Sequence, residues 1–410
     1  MTQENAAMMM QPPPIPEHVP PELVVDFNYN TNPGMFVDPF ATIAKLHDGP
    51  RIVFIPMDVA GRPTWLLTRG EDMRTVLWDQ QTFSSKGKTG FSALLGESWD
   101  LIPLEVDHEE HTKFRNLLNP LFAPRQIDKL EQGMRQTAIQ LIGRFADSKG
   151  CEFMQAFGRP FPVTVFMQLM GLPLEQTPTF LKWEDELLHS GDFGVMARAA
   201  GEIAQYLRDL AVDRKKNPLD DLASFVANAQ IDGRALPDDE ILGIYYLLFV
   251  GGLDTVAASL GFMFRYLATH PDDQEKLRKH PEMRADAIEE LLRAFSVVNS
   301  SRLCTRDVEL GGVQMKKGDR VLFSYSMAGL DPEDFPDPFD IKLDRSPNRH
   351  MAFAFGPHRC IGSHLARREF RVAFDELFDR LPPFRIKAGT TPVVHGASVF
   401  GVDRLELEWD

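Results

Sequence analysis

The sequence predicts a mainly α-helical protein with a small β-rich region, and three observations carry that prediction. Apolar residues recur at spacings of three and four through 125–146, 181–188, 196–214 and 221–229, the period of amphipathic helices. A longer run, 241–264 (ILGIYYLLFVGGLDTVAASLGFMF), is apolar almost all round, as befits a helix through the centre of the protein. Runs of strand-like composition are short and come early, at 51–56 (RIVFIP) and 64–68 (TWLLT) around a turn at Gly61 and Pro63.

Composition narrows the function. The chain has 410 residues, with 44 basic and 59 acidic side chains and a formal charge of −15, which argues against nucleic-acid binding. Hydrophobic residues at 43% and charged residues at 25% suit a globular protein with a substantial core. Three cysteines, Cys151, Cys304 and Cys360, cannot all pair and lack zinc-site spacing, so inert thiols in a reducing compartment are the first expectation. The amino terminus lacks the basic and apolar regions of a signal peptide, and no window reaches about 20 uncharged apolar residues, so a cytoplasmic protein without a membrane span is expected.

Taken in order, residues 1–25 are rich in proline and are expected to form an extended arm. Residues 26–410 contain no linker, repeat or low-complexity stretch and are expected to form one domain. The central helix should begin at the acidic turn Asp238-Asp239-Glu240 and run to about His270. At its middle stand Gly251, Gly252, Asp254 and Thr255. Two glycines inside a helix cost about 1 kcal/mol each relative to alanine, and an acid in an apolar helix costs more unless partnered. The segment therefore marks either a kink or tight crossing, or a place where the backbone approaches a bulky ligand beneath an acid and an alcohol.

Near the carboxyl end, Phe353-Ala354-Phe355-Gly356-Pro357-His358-Arg359-Cys360-Ile361-Gly362 presents a cysteine in a Gly/Pro-containing loop just before a helix. The helix dipole and nearby N–H groups favour a thiolate there, as a nucleophile or a metal ligand. The spacing of Phe353, Gly356, Cys360 and Gly362 resembles the Phe-x-x-Gly-x-x-x-Cys-x-Gly loop of the cytochrome P-450 haem-thiolate family. Glu290-Leu291-Leu292-Arg293 resembles the family's Glu-x-x-Arg helix, Gly251 to Thr255 its oxygen-binding helix, and His111 with Arg115 its His-x-x-x-Arg helix, all in the family's order. The stretches LLFVGGLDTV, EELLRAFSVV, MKKGDRVLF and GSHLARREF are similar to bacterial camphor hydroxylases and their terpenoid-oxidising relatives.

This resemblance implies the cytochrome P-450 fold, with haem b between the long central helix and the cysteine loop and Cys360 as axial ligand to iron. It implies propionate contacts from His111, Arg115, Arg302 and His358, and a structural ion pair between Glu290 and Arg293. The family's third partner is an arginine in a Pro-x-Arg-Phe segment, which the comparable stretch Phe335-Pro336-Asp337-Pro338-Phe339 lacks. Asp254 and Thr255 resemble the acid-alcohol pair that delivers protons to reduced dioxygen. Pocket walls by resemblance are Trp99, Leu247, Val250, Gly251, Val298 and Val399, with Ser398 beside them. Trp99 stands where camphor hydroxylases carry a tyrosine donor, so its indole N–H either holds a substrate oxygen or the ring only fills space. Residues 179–204 would form a lid.

The implied reaction is hydroxylation of a small terpenoid by O2 in a monomer. Three cysteines exclude a fused iron-sulfur domain, whose cluster alone needs four thiolates. Electrons would then come from a 2Fe-2S ferredoxin and its NADH-dependent reductase, docking on Arg74, Arg115, Arg359 and Arg367. The rivals are a peroxide-driven haem-thiolate peroxygenase, which needs no acid-alcohol pair, and a haem sensor, which leaves Asp254 and Thr255 unexplained.

Overall fold

The apolar run folds as one uninterrupted helix, Asp238–Thr269, in the computed structural model of the chain, which describes residues 14–58 and 60–410. Pro237 and three acidic residues start it, and residues from Ile241 to Ala268 are buried along it. It is long and apolar enough to cross a membrane, but 67% of its most apolar window is buried inside the protein. Helices Phe193–Lys216 and Pro160–Leu169 and strand Gly401–Arg404 pack around it. Two of its glycines are required by these crossings. A Cβ on Gly243 would come within 2.1 Å of the Asp100 carbonyl oxygen, and one on Gly261 within 2.9 Å of Val402.

The other periodic segments form helices at Pro124–Ile142, Thr177–Leu188, Phe193–Lys216 and Leu222–Ala227. Asp192 caps the third of these by accepting from the N–H groups of Gly194 and Val195, and Asp221 caps the fourth by accepting from Ser224. The two early runs pair antiparallel as strands Ile52–Ile55 and Thr64–Leu67. They belong to a five-stranded sheet completed by Arg320–Ser324, Asn299–Cys304 and Phe83–Ser84, with only the Thr64–Leu67 to Arg320–Ser324 contact parallel. Phe83–Ser84 is too short and Asn299–Cys304 too polar to stand out in sequence, whereas Arg320–Ser324 (RVLFS) has strand-like composition that sequence reasoning missed. Roughly half of the chain is helical, and one hydrophobic core runs from Val19 to Trp409.

Of the proline arm, residues 1–13 lie outside the described residues. The rest is fastened to the sheet, with the Val25 N–H donating to the Phe54 carbonyl at 2.9 Å and His18 Nε2 lying 2.7 Å from Asp319 Oδ2. It holds a hydrogen-bonded turn, with the Val19 N–H donating to the Pro16 carbonyl at 3.0 Å, and the short 3-10 helix Pro21–Leu23.

Glu290 and Arg293 are both fully buried on helix Arg284–Ala294 and pair twice, at 2.8 and 2.9 Å. The missing third partner is Arg345, eight residues beyond Asp337, whose Nε donates to both Glu290 oxygens at 3.0 and 2.9 Å. The Lys342 N–H and Asn348 Nδ2 complete the carboxylate's shell. Arg293 also donates to the Gly329 and Pro338 carbonyls, so one side chain ties three segments together. A Cβ on Gly329 would meet the Arg293 carbonyl oxygen at 2.2 Å, which explains glycine there.

Breaking a buried pair leaves a charge without compensation. Arg293→Leu is expected to lower unfolding free energy by about 3–5 kcal/mol. Arg345→Leu, which leaves Glu290 its other partners, should cost about 1–3 kcal/mol. Denaturant melts of the two variants check the order.

Candidate active site

The cysteine loop is built to hold one side chain. Its Cys360 N–H donates to the Phe353 carbonyl at 2.9 Å and its Arg359 N–H to Gly356 at 3.1 Å, closing the loop on itself. Gly356 has φ +71°, and a Cβ there would come within 2.8 Å of the Leu77 carbonyl, so only glycine seats the loop against helix Gly70–Trp78. Helix Ser363–Arg380 starts directly after, at Gly362. Cys360 keeps accessible surface although burial pushes its thiol up, the combination expected of a thiol facing an interior space. The Gly362 N–H and the charges of Arg115, Arg367 and Arg359 act the other way and favour thiolate. Cys151 and Cys304 are held protonated, their pKa values pushed up to about 12 by burial.

Beside the loop, the structure brings together three of the four residues expected to hold an anion. The rings of His111 and His358 lie 4.1 Å apart, and Arg302 is buried to 2% exposure within electrostatic reach of both. Arg302 donates to the Ser301 carbonyl and stacks over Phe323, yet among the described residues it has no carboxylate partner. His111 Nε2 is buried with no hydrogen-bond partner. Burial lowers the pKa of His111 to about 4 and that of His358 to about 3, with Arg302 adding to both shifts. The fourth residue, Arg115, donates to the Arg359 carbonyl at 2.7 Å and lies close enough to Cys360 to favour its thiolate. Lys88, which sequence reasoning missed, joins this group. Burial and Arg302 push its pKa well down, and it has no hydrogen bond or ion pair among the described residues.

The central helix turns an unusual face to this region. Within its buried length, Leu247, Leu248, Gly251, Gly252 and Thr255 form an accessible stripe at helical spacing. Unlike Gly243 and Gly261, the two central glycines are not demanded by any protein neighbour. A Cβ on Gly251 would meet only Leu247 at 3.9 Å, and one on Gly252 only Phe166 at 3.7 Å. A tight helix crossing therefore does not account for them. Thr255 Oγ1 donates to the Gly251 carbonyl at 3.0 Å, which leaves its oxygen free to accept, and Asp254 beside it is buried. Val298 and Val399, half-buried, face each other in an isolated β-bridge. Ser398 is exposed, and its carbonyl accepts from the Asn299 N–H.

Trp99 does not serve as a free donor. Its Nε1–H is bound to the Glu97 carboxylate, which also accepts from Arg208 Nη2 at 2.6 Å. The ring packs 4.9 Å from Tyr246, whose own hydroxyl is buried without a partner. The expectation that the indole could hold a substrate oxygen is therefore corrected, because a neighbouring carboxylate takes the hydrogen. Of the four arginines expected to form a docking patch, two are already paired. Arg74 pairs with Asp334, and Arg367 makes a two-point contact with Glu289 at 2.6 and 2.8 Å, so both charges are neutralised. Arg359 is exposed and has no ion pair among the described residues, and the exposed ring of Phe355 stands on the same cysteine loop and that of Trp78 on the helix against it.

Comparison with known proteins decides the family. A protein of Sinorhizobium fredii described as probable cytochrome P450 127A1 is 43% identical over 403 residues, covering 97% of each chain. This chain belongs to the cytochrome P450 family. The family's sequence profile, Cytochrome P450, matches residues 193–388. Crystal structures of CYP101C1 and CYP101J2 superpose with a TM-score of 0.88 each, at 32% and 31% identity, over 97% of this chain and 100% of theirs. The protein is thus a bacterial cytochrome P450 of the camphor-like CYP101 type, a monooxygenase whose cofactor is haem with a cysteine thiolate on iron.

The residues present fit that group. Haem carries two propionates, and the buried Arg302 with the orphaned His111 Nε2 offer them positive charge and a free ring nitrogen, opposed among the described residues only by Asp107, which is already engaged by Ser84 and Ser85. A flat ring system needs clearance, and the stripe through Gly251 and Gly252 supplies it where a side chain would intrude. Gly251→Ala is accordingly expected to stabilise the haem-free chain by up to about 1 kcal/mol through helix propensity. The same change should reduce haem content per chain, and comparing haem absorbance with thermal stability checks both directions.

Proposed function

We propose that this cytochrome P450 hydroxylates a small apolar terpenoid, such as a cineole-like or camphor-like monoterpenoid or a norisoprenoid ketone. The observation that carries the reading is that the residues expected to wall the pocket, Leu247, Val250, Val298 and Val399, are all aliphatic and partly accessible. Such a wall offers burial at about 25 cal/mol per Å² and little polar recognition. With the Trp99 hydrogen engaged by Glu97, the ring contributes shape, and a ligand oxygen has no indole donor to meet.

Haem, when bound, supplies dioxygen binding and reduction, with Cys360 donating electron density to the iron. The protein's own part is to move protons into a site that excludes water. Thr255 Oγ1, oriented by its bond to the Gly251 carbonyl, presents an acceptor to a proton donor, and the Asp254 carboxyl gives the proton. Gly251 and Gly252 leave room for small ligands beside that hydroxyl. His111, Arg115, Arg302 and His358 hold the propionates and fix the ring's orientation.

Electrons come from a 2Fe-2S ferredoxin served by an NADH-dependent reductase. The support is Arg359, exposed and without an ion pair among the described residues, with the exposed ring of Phe355 on the same cysteine loop and that of Trp78 on the helix against it. An apolar centre with a positive rim suits an acidic partner.

A spectral titration of the holoenzyme with a panel of monoterpenoids and norisoprenoids tests the substrate class. At least one should shift the haem band by displacing water from iron, and a silent panel would sink the reading. Trp99→Phe should bind the best ligand nearly as tightly as wild type; loss of a substrate hydrogen bond would instead weaken binding by about 0.5–1.5 kcal/mol. Thr255→Ala should retain haem and ligand binding yet divert electrons from NADH to hydrogen peroxide. Product formed per NADH consumed is the measurement, and wild-type coupling in that variant would refute the role.

A further inference from the structure

A cluster of ionisable side chains lies on the far side of Asp254 from Thr255, and nothing so far accounts for it. His189, at the end of helix Thr177–Leu188, places Nε2 3.4 Å from Asp254 Oδ1 and 3.6 Å from Glu184 Oε1. Both distances are within ion-pair range, yet Nε2 is buried without a hydrogen bond to either carboxylate. Its ring is also 5.3 Å from that of His395, edge to face, and His395 Nδ1 is 2.9 Å from Asp403 Oδ1. The ligating atoms of His189, His395 and Asp403 all lie within 4.8 Å of one another.

The cluster is built into the fold. Gly401 seats the His395 ring, since a Cβ there would come within 2.3 Å of the imidazole. Arg159 donates to Asp185 at 2.9 Å and approaches Asp403 at 3.9 Å, closing the group on the remaining side. The groups facing His189 are thus Glu184 on its own helix, Asp254 on the central helix, His395 and Asp403 on the hairpin, and Arg159 before helix Pro160–Leu169. Side-chain exposure rises stepwise along the row, from 10% at Asp254 to 13% at His189, 18% at His395 and 36% at Asp403. A cavity of about 10 Å³ lined by Arg159, His189, Asp254 and His395 lies along it. That is the lower limit for one water, which would join groups too far apart for direct contact.

We propose that His189 is the relay residue that recharges Asp254 with protons from solvent, through His395 and Asp403. The step balances without any further reagent. The Nε2–H bond of His189 breaks as an O–H bond forms on Asp254 Oδ1, and a proton taken from solvent at the Asp403–His395 end restores the imidazolium. Burial alone would favour neutral imidazole, but Asp254 and Glu184 outweigh it and raise the His189 pKa to about 10. The ring therefore carries the needed proton at neutral pH, giving it up to Asp254 transiently during turnover and losing it to bulk solvent only as the pH rises through that value. Glu184 holds the cation in place when Asp254 is protonated.

The inference rests on the reading of Asp254 as proton donor to the site, so Asp254→Asn serves as the control. The holoenzyme, His189→Gln, His189→Arg and His395→Gln are compared for haem content, ligand-induced spectral shift, product formation and solvent isotope effect. General acid-base groups contribute on the order of 10²–10⁴-fold, and with water able to substitute in part a loss of roughly fivefold or more in rate is expected for both His189 variants, with a larger isotope effect and unchanged ligand binding. Arginine keeps the charge but cannot pass a proton on, so restoration of wild-type rate and isotope effect by His189→Arg would overturn the relay. Wild-type behaviour of all three histidine variants would overturn it too, and if Asp254→Asn is equally silent the proton-donor reading falls as well. Nitrogen NMR of the reduced, carbon monoxide-bound holoenzyme gives a readout apart from turnover. His189 should be charged at pH 7 and lose that charge more readily in Asp254→Asn; a neutral ring at pH 7 would contradict the proposal.

Discussion

A guanidinium buried at Arg302 with no ion-pair partner among the described residues sets the terms for the rest of this structure. A buried charge costs several kcal/mol unless it is paired, and here the protein surrounds it with His111, His358 and Lys88, with Asp107 the one acid acting on it and that acid held by Ser84 and Ser85. Such a cluster is tolerable only if an anion completes it, and the haem propionates are the anion this family supplies. Burial, with the neighbouring cations adding to it, holds His111 and His358 neutral in the haem-free chain, so folding and cofactor capture are two parts of one electrostatic problem.

The second constraint is space. A helix that is otherwise buried all round gives up packing along one stripe and places two glycines there without a protein neighbour to require them. That sacrifice is offset elsewhere, by the tight crossings at Gly243 and Gly261 and by the Glu290, Arg293 and Arg345 network that binds the segment 329–345 to helix Arg284–Ala294. Rigidity below and clearance above are both needed to hold a large planar group in one orientation.

Much of this was legible in the sequence because local spacing encodes it. The cysteine loop, the acid-alcohol pair and the Glu290 and Arg293 pair each lie within ten residues, and the 3.6-residue period located the long helices to within a few residues. What stayed hidden depends on side chains from distant segments. Arg345 reaches Glu290 across 55 positions, so the missing third partner was sought in the wrong stretch. The engagement of Trp99 by Glu97 was within reach, since the two are only two residues apart, but Arg208, which fixes that carboxylate, comes from another helix. Lys88 and His189 carried no motif at all. Three of the five strands in the main sheet escaped notice, Phe83–Ser84 and Asn299–Cys304 because their partners, not their own composition, make them strands.

The contact between Arg208 and Glu97 has a mechanical consequence. Helix Phe193–Lys216 is tied through this charge-assisted bond to the segment carrying Trp99, and Arg198 and Glu202 tie the same helix to Glu186 and Trp183 on its neighbour. An outward swing of that helix must either break the Arg208 bond or drag the indole with it. Helix position and indole position are therefore one mechanical unit, so a change in either is felt by the other.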